Sequence, residues 1–277
     1  MLGGGALENK TLYVTDLDGT LLRSDKTLSA FSADTINMLI DKGVYVTYAT
    51  ARSHHTATEV TGGRLMPKIP VILYNGTFIA SAKGEILKAC AFDKGEASAL
   101  LSLLQGKQIY PLVHSFFEGR ERFFYRTDKK TRGIVAFLED HKNDPRETPT
   151  NEQGLTQGEA FHLTCIDDYE KLLPIYEGLK KKHQCVLYKD SYTGEWWLEI
   201  MPRNATKANA IATLAKMLGC ERIVCFGDGV NDISMGEVAT ELYAPKNAHP
   251  ELLSVATGVL DTNDEDGVAK WLLRNAK

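Results

Sequence analysis

The stretch Thr11-Leu12-Tyr13-Val14-Thr15-Asp16-Leu17-Asp18-Gly19-Thr20 decides the fold. Its first five residues are mostly β-branched or aromatic and predict a strand, and the Asp-Gly step beyond them ends it in a turn. Asp16 and Asp18 therefore leave the strand at its carboxyl end. As alternate residues on a turning backbone, one carboxylate can face a ligand while the other stands beside it. Taken alone, the stretch also fits an acidic surface turn, so its meaning depends on what surrounds it.

Downstream, Ser32 is a candidate cap for a helix carrying Ile36, Leu39 and Ile40 on one face, and Gly43 stops it before a strand from Val44 to Ala49. Near the other end, Ile211, Leu214, Ala215 and Leu218 follow helical spacing and Gly219 closes the helix. A short strand from Ile223 to Phe226 then runs into Gly227-Asp228-Gly229-Val230-Asn231-Asp232. Alternating strands and helices predict an α/β fold with a doubly wound parallel sheet, whose ligand lies beyond the carboxyl ends of the strands. Residues 83 to 191 break the pattern. There the order is strand (Glu85 to Ala91), helix (Lys94 to Gln105), strands (Ile109 to Phe116, Arg122 to Arg126), and an irregular polar stretch from Lys142 to Gly158. Strand (Phe161 to Ile166), helix (Asp168 to Lys182) and strands near Val186 and Trp197 repeat the order weakly. The expectation is a catalytic core of residues 1–82 and 192–277, with 83–191 inserted as an α+β cap serving as a lid.

The bulk properties narrow the chemistry. The 277 residues, 43% hydrophobic and 25% charged, suffice for one large or two modest domains. A net charge of −4 gives no general attraction to nucleic acid or anionic lipid. No apolar run reaches spanning length, and Met1-Leu2-Gly3-Gly4-Gly5 lacks the features of a signal peptide, so a cytoplasmic protein without membrane partners is expected. The five cysteines form no C-x-x-C pair and the seven histidines no H-E-x-x-H spacing. A bound metal should therefore be held by oxygen.

Asp16, Asp18 and Asp228 suit Mg²⁺, which takes hard oxygen ligands and keeps several waters. Asn231 and Asp232 could cap the following helix or support the metal from behind. Lys207 falls in the first turn of its helix, the wrong end of the dipole for a cation; a nearby anion would explain it, and a solvated surface lysine is the alternative. Thr50 ends the second strand with Ala51 and Arg52 behind it, offering a hydroxyl and N–H groups to phosphoryl oxygens. His54 and His55 could reach substrate or simply be exposed. Of Trp196 and Trp197, one should pack in a core and the other at a domain boundary. Asp261, Asp264, Glu265 and Asp266 fit a solvated loop.

Together these clusters resemble the four motifs of the haloacid-dehalogenase superfamily, and their order resembles its Cof-type sugar-phosphatase branch with a type IIB α+β cap. The match runs through Asp16 to Leu21, Gly43 to Arg52, Tyr74-Asn75-Gly76, Glu199-Ile200-Met201-Pro202 leading to Lys207, Gly227 to Asp232, and Asn247-Ala248-His249-Pro250. The resemblance implies a nucleophile at Asp16 and a general acid and base at Asp18. It implies phosphate contacts from Thr50, Ala51, Lys207 and Asn231, and substrate contacts from Arg52, Asn75 and Gly76. Mg²⁺ would be held by Asp16, Asp18 (through its carbonyl) and Asp228, with Asp232 behind. Ala51 stands where the family commonly has Gly, Asn204-Ala205-Thr206 replaces a Gly-containing turn, Thr77 follows Asn75-Gly76 where Ala is common, and Lys246 precedes Asn247 where Gly is frequent. The implied activity is hydrolysis of small phosphorylated metabolites, sugar phosphates foremost, through an aspartyl phosphate, by a monomer or homodimer. A phosphosugar mutase and a catalytically silent phosphate-ligand sensor are the rival expectations.

Overall fold

A computed structural model describes residues 10–190 and 194–277. Met1 to Gly5 and the expected boundary at 191–192 lie outside the described residues. In chain order the strands are β1 (Thr11–Thr15), β2 (Tyr45–Tyr48), β3 (Val71–Leu73), β4 (Phe78–Ala80), β5 (Ile86–Ala89), β6 (Leu112–Phe117), β7 (Arg120–Arg126), β8 (Glu147–Thr150), β9 (Glu159–Asp167), β10 (Gln184–Lys189), β11 (Trp196–Met201), β12 (Arg222–Phe226), β13 (Glu241–Pro245) and β14 (Gly258–Leu260). The helices are α1 (Ala30–Asp41), α2 (His54–Val60), α3 (Lys94–Gly106), α4 (Arg132–Asp140), α5 (Tyr169–Leu179), α6 (Lys207–Leu218), α7 (Pro250–Val255) and α8 (Gly267–Asn275). They divide into two compact units, residues 1–89 with 206–277, and residues 90–205.

The first unit is built on a five-stranded sheet in the order β14-β13-β12-β1-β2, parallel throughout. Alternation along β1 supplies both faces. Leu12 and Val14 join Ile211 and Leu214 of α6 in one core, while Tyr13 turns the other way toward Trp271 of α8. Because β2 lies on one side of β1 and β12 on the other, the chain changes direction across β1, and ligands of such sheets bind at that switch point beyond the strand ends. The cap of α1 is Ser29, whose hydroxyl accepts from the Ser32 N–H at 2.9 Å, and not Ser32 as the sequence suggested. Ser32 instead donates its hydroxyl to Asp266 at 3.1 Å, and Ser29 and Arg23 bind the same carboxylate at 2.5 and 3.0 Å. The acidic stretch is thus no merely solvated loop, since Asp266 gathers the start of α1.

The second unit carries a six-stranded sheet, β10-β11-β9-β6-β7-β8, antiparallel except where β7 meets β8. Helices α3 and α5 bury one face with Leu100, Leu104, Leu172 and Ile175 against Val113, Leu163 and Leu198. Trp196 packs on this cluster, whereas Trp197 joins Phe123, Ile134 and Phe137 on the other. Helix α4 was absent from the sequence expectation. Thr131 caps it by accepting from the Ile134 N–H at 3.2 Å, and its apolar face is Ile134, Phe137 and Leu138. The polar stretch expected to be irregular from Lys142 to Gly158 contains β8. The expected boundaries also move. β5 was assigned to the insert but pairs in a hairpin with β4 in the first unit, and β11, read in the insert's repeat yet left outside its boundary at 191, lies between β10 and β9 in the second-unit sheet. Pairing with a sequence neighbour decided the first of these, because a hairpin closes a very short loop. Among the described residues no helix is long and apolar enough to cross a membrane.

Candidate active site

The first unit gathers its acidic residues at the ends of β1 and β12. The Asp16 N–H donates to the Phe226 carbonyl at 2.8 Å, extending the parallel ladder one residue so that the Asp16 side chain begins where the strand stops. The turn that follows places Gly19 at φ +72°, a conformation other residues rarely adopt, and a Cβ built there would lie 2.2 Å from an Asp228 oxygen. Gly19 is therefore required both by the turn and by the approach of the two loops. Thr20 donates its hydroxyl to Asp228 Oδ1 at 2.8 Å across the same gap, a contact the sequence did not suggest.

Lys207 lies at the first position of α6, with Thr206 capping the helix through the Asn209 N–H at 3.1 Å. The side chain is 1% exposed, which removes the alternative of a solvated lysine. Its Nζ donates to Asp16 Oδ1 at 2.5 Å and to Asp232 Oδ1 at 2.7 Å. Asp232 also receives the Asp228 and Gly229 N–H groups on Oδ2, at 3.0 and 2.9 Å. The capping role considered for Asp232 is thus filled, and the same carboxylate binds the Lys207 ammonium.

Carboxylate oxygens of Asp16, Asp228 and Asp232 lie within 4.8 Å of one another. Three carboxylates face one ammonium, so the cluster carries an excess of negative charge. The electrostatics follow. Burial raises the Asp16 carboxyl well above the usual range, Lys207 only partly offsets this, and Asp232 adds repulsion. Burial also lifts Asp228 to about 6, against a hydrogen bond from Thr20 and with further repulsion from Asp232. Burial disfavours the charge on Lys207, but Asp16 and Asp232 outweigh it and hold the lysine protonated. Hard oxygen donors with unneutralised charge suit a divalent cation. Asp16 and Asp228 retain free lone pairs for it, whereas Asp232 is largely consumed by Lys207 and two N–H groups.

The remaining candidates surround this cluster. Thr50 is fully buried at the end of β2, with Ala51 exposed beside it, and its Oγ1 accepts from the Arg52 N–H at 3.1 Å. Arg52 forks onto Asp18, Nε to Oδ2 and Nη2 to Oδ1, both at 2.7 Å. Asn231 is exposed and donates to Asn75 Oδ1 at 3.1 Å. Gly76 has a packing duty, because a Cβ there would meet the Thr206 carbonyl oxygen at 2.1 Å and push away the start of α6. His54 Nε2 pairs with the Ala82 carbonyl at 3.1 Å, which occupies it with the β4–β5 turn. Sequence reasoning also missed the work of Asn247. Its amide donates to the Gly19 carbonyl at 2.8 Å and accepts from the Asn263 N–H at 3.0 Å, while Asn263 holds the Leu22 carbonyl at 2.9 Å. The signal was present in Asn247-Ala248-His249-Pro250, since the His249 N–H binds the Asp228 carbonyl at 2.8 Å.

Comparison with known proteins fits this geometry. The family of haloacid dehalogenase-like hydrolases matches residues 13–272. The chain belongs to that family. It is 30% identical over 279 residues to the 5-amino-6-(5-phospho-D-ribitylamino)uracil phosphatase YwtE of Bacillus subtilis, covering 93% of this chain and 95% of the relative. Its fold matches TM0651 from Thermotoga maritima with a TM-score of 0.77 at 22% identity, over 97% of this chain and 98% of the other. It matches the HAD subclass IIB sugar phosphatase BT4131 with a TM-score of 0.71 at 18% identity, over 96% and 98%. Within the haloacid dehalogenase-like hydrolases the chain is an enzyme of the phosphatase kind, with the parallel-sheet core and added antiparallel sheets of that fold.

Proposed function

We propose that this hydrolase cleaves small phosphomonoesters with Mg²⁺ through a phosphorylated Asp16. The observation that carries the reading is the Lys207 ammonium clamped between buried Asp16 and Asp232 at a strand end, with Asp228 alongside.

Asp16 is suited to attack because the Phe226 carbonyl fixes its backbone and Lys207 fixes one oxygen, leaving the other to meet phosphorus. Its carboxylate forms the bond to phosphorus as the ester oxygen leaves, and Asp18 gives that oxygen a proton. In the second step water attacks the phosphorus, Asp18 takes its proton, and the bond to Asp16 breaks to return the carboxylate and release phosphate. Negative charge spreads over the equatorial oxygens during both steps, and Lys207 with the Thr50 hydroxyl and the Ala51 N–H would meet it. Bound Mg²⁺, held by Asp16, Asp228 and the Asp18 carbonyl with Asp232 behind, would supply the remaining charge neutralisation.

For the substrate we favour a phosphate ester on a polyhydroxylated carbon chain. YwtE is named for a phosphoribityl compound and BT4131 for sugar phosphates, and that class contains both. Residues 90–205 would supply recognition of the rest of the molecule, as a cap does in this family. The test is release of inorganic phosphate from a panel of sugar and polyol phosphates, with Mg²⁺ and after chelation. Phosphate release restored by Mg²⁺ supports the proposal. Transfer to a second sugar hydroxyl that requires a bisphosphate activator would make the protein a mutase, and absence of turnover across the panel would favour the sensor.

A further inference from the structure

We infer that Arg52 is a positioning residue for Asp18, and that its loss slows breakdown of the phosphoenzyme while sparing capture of phosphate from an aryl ester. This rests on the covalent reading above. The sequence placed Arg52 beside Thr50, which suggested a contact to phosphoryl oxygens. In the structure Nε and Nη2, the two donors of one guanidinium edge, are both given to Asp18 at 2.7 Å.

The arginine is itself anchored. Its N–H binds Thr50 Oγ1 at 3.1 Å, and its carbonyl accepts from the Tyr74 N–H at 3.2 Å. Asp18 sits in a looser setting. It stands on an irregular turn with φ −72° and ψ 125°, and its side chain is 43% exposed. A half-exposed carboxylate on a turn samples several rotamers, and a parallel two-bond fork selects one. The fork engages one lone pair on each oxygen and leaves the others open, so the group is presented as a proton acceptor in a fixed direction. The second step makes that demand, since water must lose a proton to Asp18 as its oxygen bonds to phosphorus and the Asp16–phosphorus bond breaks. The first step escapes it when the leaving group is an aryl oxide, which departs without a proton.

A plain surface ion pair is the competing account, because exposed pairs are often energetically idle. The experiment compares Arg52→Ala, Arg52→Lys and Asp18→Asn with the unaltered enzyme, using p-nitrophenyl phosphate and Mg²⁺ in rapid-quench mode. For Arg52→Ala we expect a burst of nitrophenol at near the original rate, then turnover reduced by about 10²-fold, at the low end of general acid–base contributions. KM should fall with kcat, leaving kcat/KM little changed, and intact-mass spectra should show phosphoenzyme accumulating. Added guanidinium ion should restore part of the turnover, and Arg52→Lys should lie between, which keeps the test alive if the alanine variant folds poorly. Unchanged turnover, or a slow burst with raised KM and no accumulated phosphoenzyme, overturns the inference. Phosphoenzyme in Asp18→Asn but in neither arginine variant sinks the inference alone, whereas none in Asp18→Asn sinks the covalent reading with it.

Discussion

Burial disfavours charge in both units, and the clearest contrast is between two acids of the first and two bases of the second. In the first unit the affected groups are Asp16 and Asp228, whose carboxyls are raised by burial and mutual repulsion around Lys207. In the second they are His114 and His162, stacked with centroids 5.1 Å apart and pushed down, His114 mainly by burial and then by its neighbour, His162 by burial. The first unit keeps charge where water is scarce, a costly arrangement that a bound cation would relieve. The second keeps its buried imidazoles neutral, as a packed sheet requires. The comparison teaches that similar burial leaves unrelieved charge around Lys207 in the first unit and neutral rings at the stacked imidazoles of the second.

The comparison breaks first at Lys207. Lys207→Met leaves three carboxylates without their ammonium, and removing one partner of a buried pair costs about 3–5 kcal/mol. We expect turnover to fall by roughly 10³-fold or more, in line with loss of a preorganised stabilising group. Urea unfolding and phosphate release measure the two effects, and a variant retaining wild-type stability would show that the cluster is not strained as described.

A smaller effect sharpens the contrast in pH. A carboxyl raised in the folded state contributes stability below its unfolded value of 3.8, which is lost as pH climbs through about 6 for Asp228. A histidine lowered from 6.5 contributes stability above that value, lost as pH falls below it. Without metal, lowering pH from 7.5 to 5 should therefore steady the first unit and weaken the second, each by on the order of 3 °C in melting temperature. Trp271 reports the first unit, and Trp196 and Trp197 the second, so tryptophan-to-phenylalanine variants can separate the signals. Mg²⁺ should raise the first transition more at pH 7.5 than at pH 5, because protons compete for Asp228. Parallel shifts of both transitions would contradict the contrast.

The mildest test lies at Asn247. Asn247→Ala removes one hydrogen bond to the Gly19 carbonyl and one from the Asn263 N–H, each worth about 1 kcal/mol. We expect a loss of about 2 kcal/mol in stability and about tenfold in kcat, read by urea titration and steady-state kinetics. An unaffected kcat would mean that the turn bearing Asp18 needs no such tie.

Much of the first unit was legible because its signals are local. Strand composition, an Asp-Gly turn and helical spacing near Ile211 lie within short windows, and they located both acidic strand ends. Lys207 was half legible, since a cation at a helix start asks for an anion but does not name Asp16 or Asp232. The Asp18–Arg52 fork was hidden because its partners lie 34 residues apart and neither flanking pattern differs from that of a free side chain. Asp266 was misjudged for the same reason, its partners Ser29 and Ser32 being over two hundred residues away. The boundaries of the second unit failed because strand character does not reveal which sheet a strand joins. β5 was recognised as a strand and placed in the wrong unit, and β11 was read with the insert's repeat while the boundary was drawn short of it.

The most direct test of the account is to trap the covalent state. Asp18→Asn enzyme with Mg²⁺ and p-nitrophenyl phosphate, quenched in acid within the burst and digested, should yield one phosphorylated peptide containing Asp16, and the label should vanish in the Asp16→Asn, Asp18→Asn double variant. Phosphate on another residue, or multiple turnovers by Asp16→Asn alone, would contradict a phosphorylated Asp16 as the centre of the reaction.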